Sequence, residues 1–290
     1  MQQVTVRVPA STSNLGPGFD CLGVALRIYN DVTIWRGGRS PVDPMVSATA
    51  ELFFARTKCR AFLFSHKVAG EVPISRGLGS SVTLRLGVIH GLSFLAGRPL
   101  AREEIFRLCA ELEGHPDNAA PAEFGGFNVA HGAARQRFPV AAALKFILLI
   151  PDFEVKTSEA RTLLPKQIRR AEAVESNANA CTITAAFASG RYVNLRNAFR
   201  DFLHQPYRKQ LVPFFDEVVS AGEKAGALGG FLSGSGSTIA AVTLAAPKNV
   251  GAAMLAAAPA GARVLITTAD NRGARVLPIE IRNSKFENPR

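Results

Sequence analysis

A chain of 290 residues, 47% hydrophobic and 20% charged, is long enough for one large domain or two small ones and apolar enough to bury a sizeable core, which excludes long disorder. The longest apolar runs, Leu144–Pro151 and Ala252–Ala262, fall short of the roughly 18–20 residues that span a bilayer. Lysine and arginine outnumber acids 34 to 23, giving +11, a surplus that suits an anionic ligand such as a nucleotide triphosphate.

The start, MQQVTVRVPAS, lacks the basic-then-apolar pattern of a secretory signal, so the expected location is the cytoplasm. Cys21, Cys59, Cys109 and Cys181 form no CxxC pair and are expected as reduced thiols. His66, His90, His115, His131 and His204 do not pair at metal-ligand spacings. With no Lys/Arg tract, zinc finger or aromatic RNA-binding signature, neither nucleic acid nor membrane is an expected partner.

Val4, Val6 and Val8 alternate with polar residues and predict a half-buried strand. Pro9–Asp20, PASTSNLGPGFD, reads as a loop. Gly23–Trp35 predicts a strand, or two joined at Asn30-Asp31. Met45–Thr57 has helical spacing and Cys59–Val68 is β-rich. PISRGLGSS at Pro73–Ser81 precedes a helix over Val82–Ala96, with Leu84, Val88, Leu92 and Leu95 on one stripe. A helix over Arg102–Glu113 runs into EGHPDNAAPAEFGGF, and Leu144–Ile150 reads as a buried strand.

The second half predicts helices at Ser158–Leu164, Pro165–Ser189, Val193–Phe202 and Pro213–Ala225. FLSGSGSTIAAVTL then reads as loop plus strand. A helix over Lys248–Ala257 and strands at Arg263–Thr268 and Arg275–Ile281 follow, with NSKFENPR as a frayed tail. The pattern is α+β, without regular βαβ alternation. No Gly/Ser linker separates the halves, so they should pack closely. Neither GxxxxGK[ST] nor GxGxxG occurs, which excludes a P-loop and a dinucleotide-type turn.

Three glycine-rich segments carry the chemistry. Arg76-Gly77-Leu78-Gly79-Ser80-Ser81 leads into a helix, where unpaired N–H groups and the helix dipole favour phosphate. Phe231–Thr238 offers a second phosphate-wrapping loop. Pro9–Asp20 places Asn14, Gly16, Gly18 and Asp20 in a tight loop. Alone, each is equally compatible with an ordinary structural turn.

Together, PASTSNLGPGFDCLGVAL, PISRGLGSS and FLSGSGST resemble, in order and spacing, the three motifs of the GHMP kinase superfamily. NLGPGFD, EGHPDN-AP, SEAR-LLP and PYRKQLVP resemble its homoserine kinase family in particular. The resemblance implies a two-domain α+β fold. Residues 1–150 would be an ATP-binding domain similar to the second domain of ribosomal protein S5, and residues 151–290 a ferredoxin-like C-terminal domain. It implies ATP and Mg2+ as cofactors, and phosphorylation of L-homoserine to O-phospho-L-homoserine in threonine biosynthesis. A homodimer is one assembly compatible with it. The alternatives are another GHMP-type small-molecule kinase with a non-amino-acid alcohol acceptor, a catalytically silent member, and a basic nucleic-acid binder.

By the same resemblance, Pro73, Ile74, Ser75, Arg76, Gly77, Leu78, Gly79, Ser80 and Ser81 would bind ATP, and Ser81 and Glu113 would contact the metal. Arg161 and Arg208 match carboxylate-binding arginines. Asn14, Asp20 and His115 match positions that hold the substrate's amino and hydroxyl ends. Asp117 corresponds to a catalytic base in mevalonate kinases, with Asn118 beside it as the other group near the hydroxyl. The expected route is direct attack of the δ-hydroxyl on the γ-phosphate, with magnesium, loop amides and Arg161 stabilising the developing charge. Two departures stand out. Val82-Thr83 replace Ala-Ala, which should widen a side chain near the phosphates, and Ser237 replaces a proline, which should loosen its loop.

Overall fold

The computed structural model describes residues 2–38, 43–97, 100–132 and 134–278. It opens with β1 (Gln3–Ser13), whose Val4, Val6 and Val8 face the core. β2 (Leu22–Arg36) pairs with it antiparallel from Gln3↔Trp35 to Ser13↔Gly23, with one register shift at Pro9/Ala10. β2 passes through Asn30-Asp31 unbroken because both turn-forming residues have tertiary partners. Asn30 Nδ2 donates to Thr83 Oγ1 at 2.9 Å, and Arg7 grips both Asp31 oxygens at 2.8 and 2.7 Å.

α1 (Pro44–Thr57) is capped by Asp43, whose carboxylate accepts from the N–H groups of Met45 and Val46. β3 (Phe64–Gly70), α2 (Ser80–Leu95), α3 (Arg102–Glu113) and α4 (Ala119–Phe124) follow. The hairpin β4 (Phe127–His131) and β5 (Ala134–Phe138) comes next, then β6 (Lys145–Ile150). α5 (Thr157–Thr162), α6 (Arg170–Ser189), α7 (Gln205–Arg208) and α8 (Phe215–Lys224) precede β7 (Gly229–Leu232) and β8 (Ile239–Thr243). α9 (Pro247–Ala256), β9 (Arg263–Thr267) and β10 (Arg275–Val276) complete the described elements.

The strands form two antiparallel sheets. One has the order β10-β1-β2-β4-β5, with β3 also paired to β2, and the other has the order β7-β8-β6-β9. The apolar run of β6 is flanked by β8 and β9, so it belongs to the second sheet. β10 returns to the first sheet, with Val6 opposite Val276. A division after Ile150 therefore does not follow the sheets: residues 145–150 pair forward and residues 275–276 pair back. One core cluster spans both halves, and Phe127 of β4 stacks on Phe187 of α6 at 4.2 Å between ring centres. The close packing expected without a linker is present.

Four local expectations differ. The loop read over Pro9–Asp20 starts only after Ser13, because Pro9–Ser13 continue β1 in pairing with β2. The helix predicted over Val193–Phe202 is reduced to a 3-10 turn at Tyr192–Leu195, because Asn197 takes a left-handed φ of 65° and Phe199 turns inward to stack on Phe231. α4 and the β4–β5 hairpin arise in a stretch without helical or alternating pattern. The strand expected to run to Ile281 is seen as Arg275–Val276; residues 279–281 and the tail 283–290 lie outside the described residues. Among the described residues no helix is long and apolar enough to cross a membrane.

α2 lies directly on β2. An added Cβ at Gly87 would sit 2.5 Å from Val32 Cβ, and one at Gly91 would sit 2.4 Å from Ile34 Cγ1. These two glycines, one helical turn apart, let helix and strand approach closely. Because α2 begins at Ser80, this contact also sets the height of the phosphate-loop helix over the sheet. Gly87→Val should cost about 1–3 kcal/mol through overpacking against the stiff Val32, read as a lower urea midpoint. An unchanged midpoint would show that α2 is not seated there.

Candidate active site

The last three residues of β1 are fully buried hydroxyl residues, Ser11, Thr12 and Ser13. Buried hydroxyls need partners; here they find them on Asn118 and Ser233, and the strand backbone ties in a third segment. Ser11 N donates to Leu78 O at 3.2 Å, and Ser11 Oγ donates to Asn118 Oδ1 at 2.8 Å. Thr12 Oγ1 meets Ser233 Oγ at 2.8 Å. Ser13 Oγ accepts from Asn118 Nδ2 at 2.8 Å, and its carbonyl accepts from Gly234 N at 3.2 Å. Ser233 Oγ donates in turn to Gly77 O at 2.7 Å. The three glycine-rich segments are thus one hydrogen-bonded unit.

This packing explains two glycines. Gly77 and Gly79 have φ of 71° and 69°. A Cβ at Gly77 would lie 2.1 Å from Ser233 O, and one at Gly79 would lie 2.4 Å from Ser11 Oγ. Neighbouring loops, before any ligand, forbid a side chain at either position.

A cleft of about 600 Å³ opens over the unit. Of the residues singled out from sequence, Asn14, Asp20, Ile74, Ser75, Gly77, Gly79, Ser80, Ser81, Glu113, His115, Asp117, Asn118, Arg161 and Arg208 line it. Pro73, Arg76 and Leu78 do not. Leu78 is buried in the core, and Arg76 turns its guanidinium to Pro151 O at 3.1 Å and to Glu154 at 3.6 Å. The two departures do not disturb the loops. Val82 is buried in the core, and Thr83 Oγ1 donates to Ser80 O at 2.7 Å while accepting from Asn30. Ser237 Oγ donates to Phe153 O at 2.6 Å, so it tethers its loop instead of loosening it.

At the start of α2, Ser81 Oγ donates to Glu113 Oε2 at 3.1 Å. A hydroxyl and a carboxylate in contact, beside the N-terminus of a 16-residue helix, are hard oxygen donors that fit a magnesium ion arriving with phosphates. Glu113 ends α3, where a negative charge opposes the helix dipole. Arg85 Nη1 offsets it at 2.5 Å from Glu113 Oε1.

Another part of the cleft gathers opposite charges. Arg161 holds Asp20 with two hydrogen bonds, 3.1 and 2.7 Å. His115 Nδ1 is hydrogen-bonded to Asp117 Oδ1. Ligand atoms of Asp20, His115 and Asp117 lie within 4.8 Å of one another. Arg208 is only 2% exposed, donates to Gly234 O at 3.1 Å and keeps a buried Nε without a partner. Asn14 and Asn118 stand in the wall with their amides already engaged. Asn14 binds Gly234 O and Asp20 N, while Asn118 binds Ser11 and Ser13.

Sequence reasoning passed over two side chains here. Phe19, inside the quoted first motif, carries Arg208 and Arg161 at 5.0 and 5.5 Å from its ring centre. His204 stacks on Phe19 at 5.2 Å, bonds Gly16 O through Nε2 at 2.8 Å and faces Arg208 Nη1 with Nδ1 at 3.5 Å. The signal for His204 was its spacing of four residues before Arg208 at a helix start.

The titrating groups divide by surroundings. Burial works against a charged His115, but the hydrogen bond and charge of Asp117, with the charge of Asp20, hold it above its ordinary 6.5. Asp117 is held below its ordinary 3.8: burial pushes it up, but the His115 contact, Ser13 and the Asn118 N–H outweigh that. Burial lowers His204 to about 4, aided by Arg208 and opposed by Asp201. Burial, then the charge of Arg161, lowers Arg208 to about 10, so it stays cationic at neutral pH.

Residues 45–126 match the profile of the GHMP kinases N terminal domain, and residues 183–260 match that of the GHMP kinases C terminal. The chain is 39% identical over 257 residues to the homoserine kinase of Caldicellulosiruptor bescii, covering 82% of this chain and 84% of that one. It is 39% identical over 259 residues to the homoserine kinase of Clostridium beijerinckii, covering 82% and 86%. Among solved structures it is similar to the homoserine kinase from Cytophaga hutchinsonii, with a TM-score of 0.86 at 27% identity, over 96% of this chain and 98% of that one.

His115 in the cleft and the buried His204 behind it should pull stability in opposite directions with pH. The His115 contribution is whole below 6.5 and is lost as pH rises through its raised value. His204 stays neutral in the fold but protonates in the unfolded chain below 6.5, so stability falls as pH drops toward about 4. Proton NMR titration should place His115 above 6.5 and His204 near 4, and Asp117→Asn should bring His115 down. A His115 unmoved by that substitution would remove Asp117 as the cause.

Proposed function

Because the chain belongs to the homoserine kinase family of the GHMP kinases, we propose that it transfers the γ-phosphoryl group of ATP to the δ-hydroxyl of L-homoserine. The product is O-phospho-L-homoserine, for threonine biosynthesis. The observation that carries the substrate reading is Arg208, a buried guanidinium with an unpartnered Nε at the wall of the cleft. An uncharged alcohol needs no such group, whereas an α-carboxylate does. A cytoplasmic location fits this reading.

An amino acid carries its carboxylate and ammonium on one carbon, and the cleft offers opposite charges equally close together. The carboxylate takes Arg208 and Arg161, and the ammonium takes Asp20, exchanging the Arg161–Asp20 contact of 2.7 Å for two contacts to substrate. The triphosphate lies over Gly77–Ser81 and the first N–H groups of α2. Ser81 and Glu113 hold magnesium, which when bound neutralises phosphate charge. We divide the chain by sheet membership, into an ATP-binding unit that ends before β6 and is closed by β10, and a C-terminal unit from β6 to β9.

Asp117 acts as an electrostatic partner and not as a base. His115 holds it ionised with a lowered proton affinity, so it accepts a proton poorly. The amide of Asn118 is spent on Ser11 and Ser13, so this residue fixes the loop under the acceptor. A largely dissociative transition state needs little base assistance, and positioning with charge neutralisation does the work.

Arg208→Leu should leave the substrate carboxylate half paired at a cost of about 2–5 kcal/mol. The homoserine KM should rise by orders of magnitude while nucleotide affinity stays near wild type. The analogue lacking a carboxylate should be a poor substrate for wild type and lose little further on mutation. Equal losses on both substrates would remove the carboxylate clamp.

Glu113→Gln keeps a polar side chain of the same shape between Ser81 and Arg85, so it should still fold, and it should lower turnover about 10²–10³-fold in a coupled ADP-release assay. Turnover near wild type at saturating magnesium would remove Glu113 from the metal site. Stimulation of ADP release by mevalonate, galactose or shikimate, but not by homoserine, would overturn the substrate reading itself.

A further inference from the structure

Glu113 uses its two oxygens on different partners. Oε2 accepts from Ser81 Oγ at 3.1 Å, and Oε1 accepts from Arg85 Nη1 at 2.5 Å. Arg85 lies one helical turn beyond Ser81 on α2, and the same Nη1 donates to Leu112 O at 2.8 Å. The side chains of Arg85 and Glu113 are only 18% and 10% exposed, so solvent screens the pair weakly. Arg85 Nε is buried without a partner, so among the described residues Glu113 is the one carboxylate on this guanidinium.

We infer that Arg85 is a positioning residue that makes this a site for a metal–nucleotide complex and not for a free divalent cation. The inference rests on the reading of Ser81 and Glu113 as the magnesium-holding pair. By gripping Oε1 and the end of α3, Arg85 leaves Oε2 directed at Ser81, where the phosphate-loop helix begins. Its charge also cancels that of the carboxylate. A bare dication then meets a neutral ion pair, one hydroxyl and the repulsion of a nearby guanidinium. A dication already bound to a triphosphate is anionic overall, and the same guanidinium and the α2 N-terminus attract it. Metal and nucleotide therefore enter together.

A purely structural Arg85, tying α2 to α3, would set stability but not metal selectivity. The test is Mn2+ binding followed by electron paramagnetic resonance, first to nucleotide-free enzyme and then with a non-hydrolysable ATP analogue. Wild type should bind free Mn2+ far more weakly than Mn2+ with the analogue. Arg85→Gln keeps a donor for Leu112 O without the charge. It should bind free Mn2+ at least about tenfold tighter and the Mn2+–analogue complex more weakly, while Arg85→Lys should return both toward wild type. Free Mn2+ affinity unchanged or weaker in Arg85→Gln, with a native melting curve, overturns the inference. So does wild-type enzyme that binds free Mn2+ as tightly as the complex, a result that needs no variant to fold. Glu113→Gln separates the two readings. If it leaves the Mn2+–analogue affinity unchanged, the metal reading falls and this inference with it. If it weakens that affinity while Arg85→Gln leaves free Mn2+ binding unchanged, this inference alone falls.

Discussion

The demand of three buried hydroxyls for hydrogen-bond partners holds the cleft together. Ser11, Thr12 and Ser13 end a core strand with no access to water, so each needs a partner from the protein. The Asp117–Asn118 turn and the Ser233–Gly234 loop supply them, and the Ser11 N–H ties in the Gly77–Ser81 loop through Leu78 O. Each loop comes from a different region of the chain, and one of them carries Gly77 and Gly79, where a Cβ would lie 2.1 and 2.4 Å from a neighbouring atom. The floor of the cleft is therefore built before ligand arrives, which lowers the ordering cost of binding.

Charge in the cleft is arranged as neighbouring opposites. Arg85 faces Glu113, Arg161 faces Asp20, and His115 faces Asp117. Arg208 differs: its nearest partners are a carbonyl and a neutral imidazole. Phe19 presents a ring face to both arginines and so offsets part of the repulsion that lowers Arg208. His204 stays neutral because it is buried, and so adds no third positive charge beside them.

Elements with strong local patterns were legible in sequence. α3 begins at Arg102 and ends at Glu113, as its apolar spacing and the following Gly114 indicate. The β4–β5 hairpin was not, because Arg135, Gln136 and Arg137 give β5 no alternation; Arg137 is instead held by carbonyls of Phe124, Gly125 and Asn271. The helix read over Val193–Phe202 failed for a related reason, since Phe199 serves a distant strand and not its own helix face. In the site, the motif residues were legible as types, but their partners were not. Asn14 and Asn118 look like ligands in sequence, yet the acceptors and donors that occupy them come from loops far along the chain. Arg85 lies outside the apolar stripe read on its helix and gains significance only when α3 brings Glu113 to it.

The return of the chain to β1 has a consequence for synthesis. Residues 269–277 do more than add an edge strand. Asp270 accepts from Tyr29 Oη, Asn271 exchanges two hydrogen bonds with the Val140 backbone, and Ala274 N donates to Ala122 O. On the ribosome, β1 and the turn after α4 emerge before these partners and wait for them while the whole second sheet is made. During that interval β1 presents an unpaired margin, the kind of surface on which chaperones act and on which chains associate with one another. The first sheet is thus begun before the second is made and closed only after it.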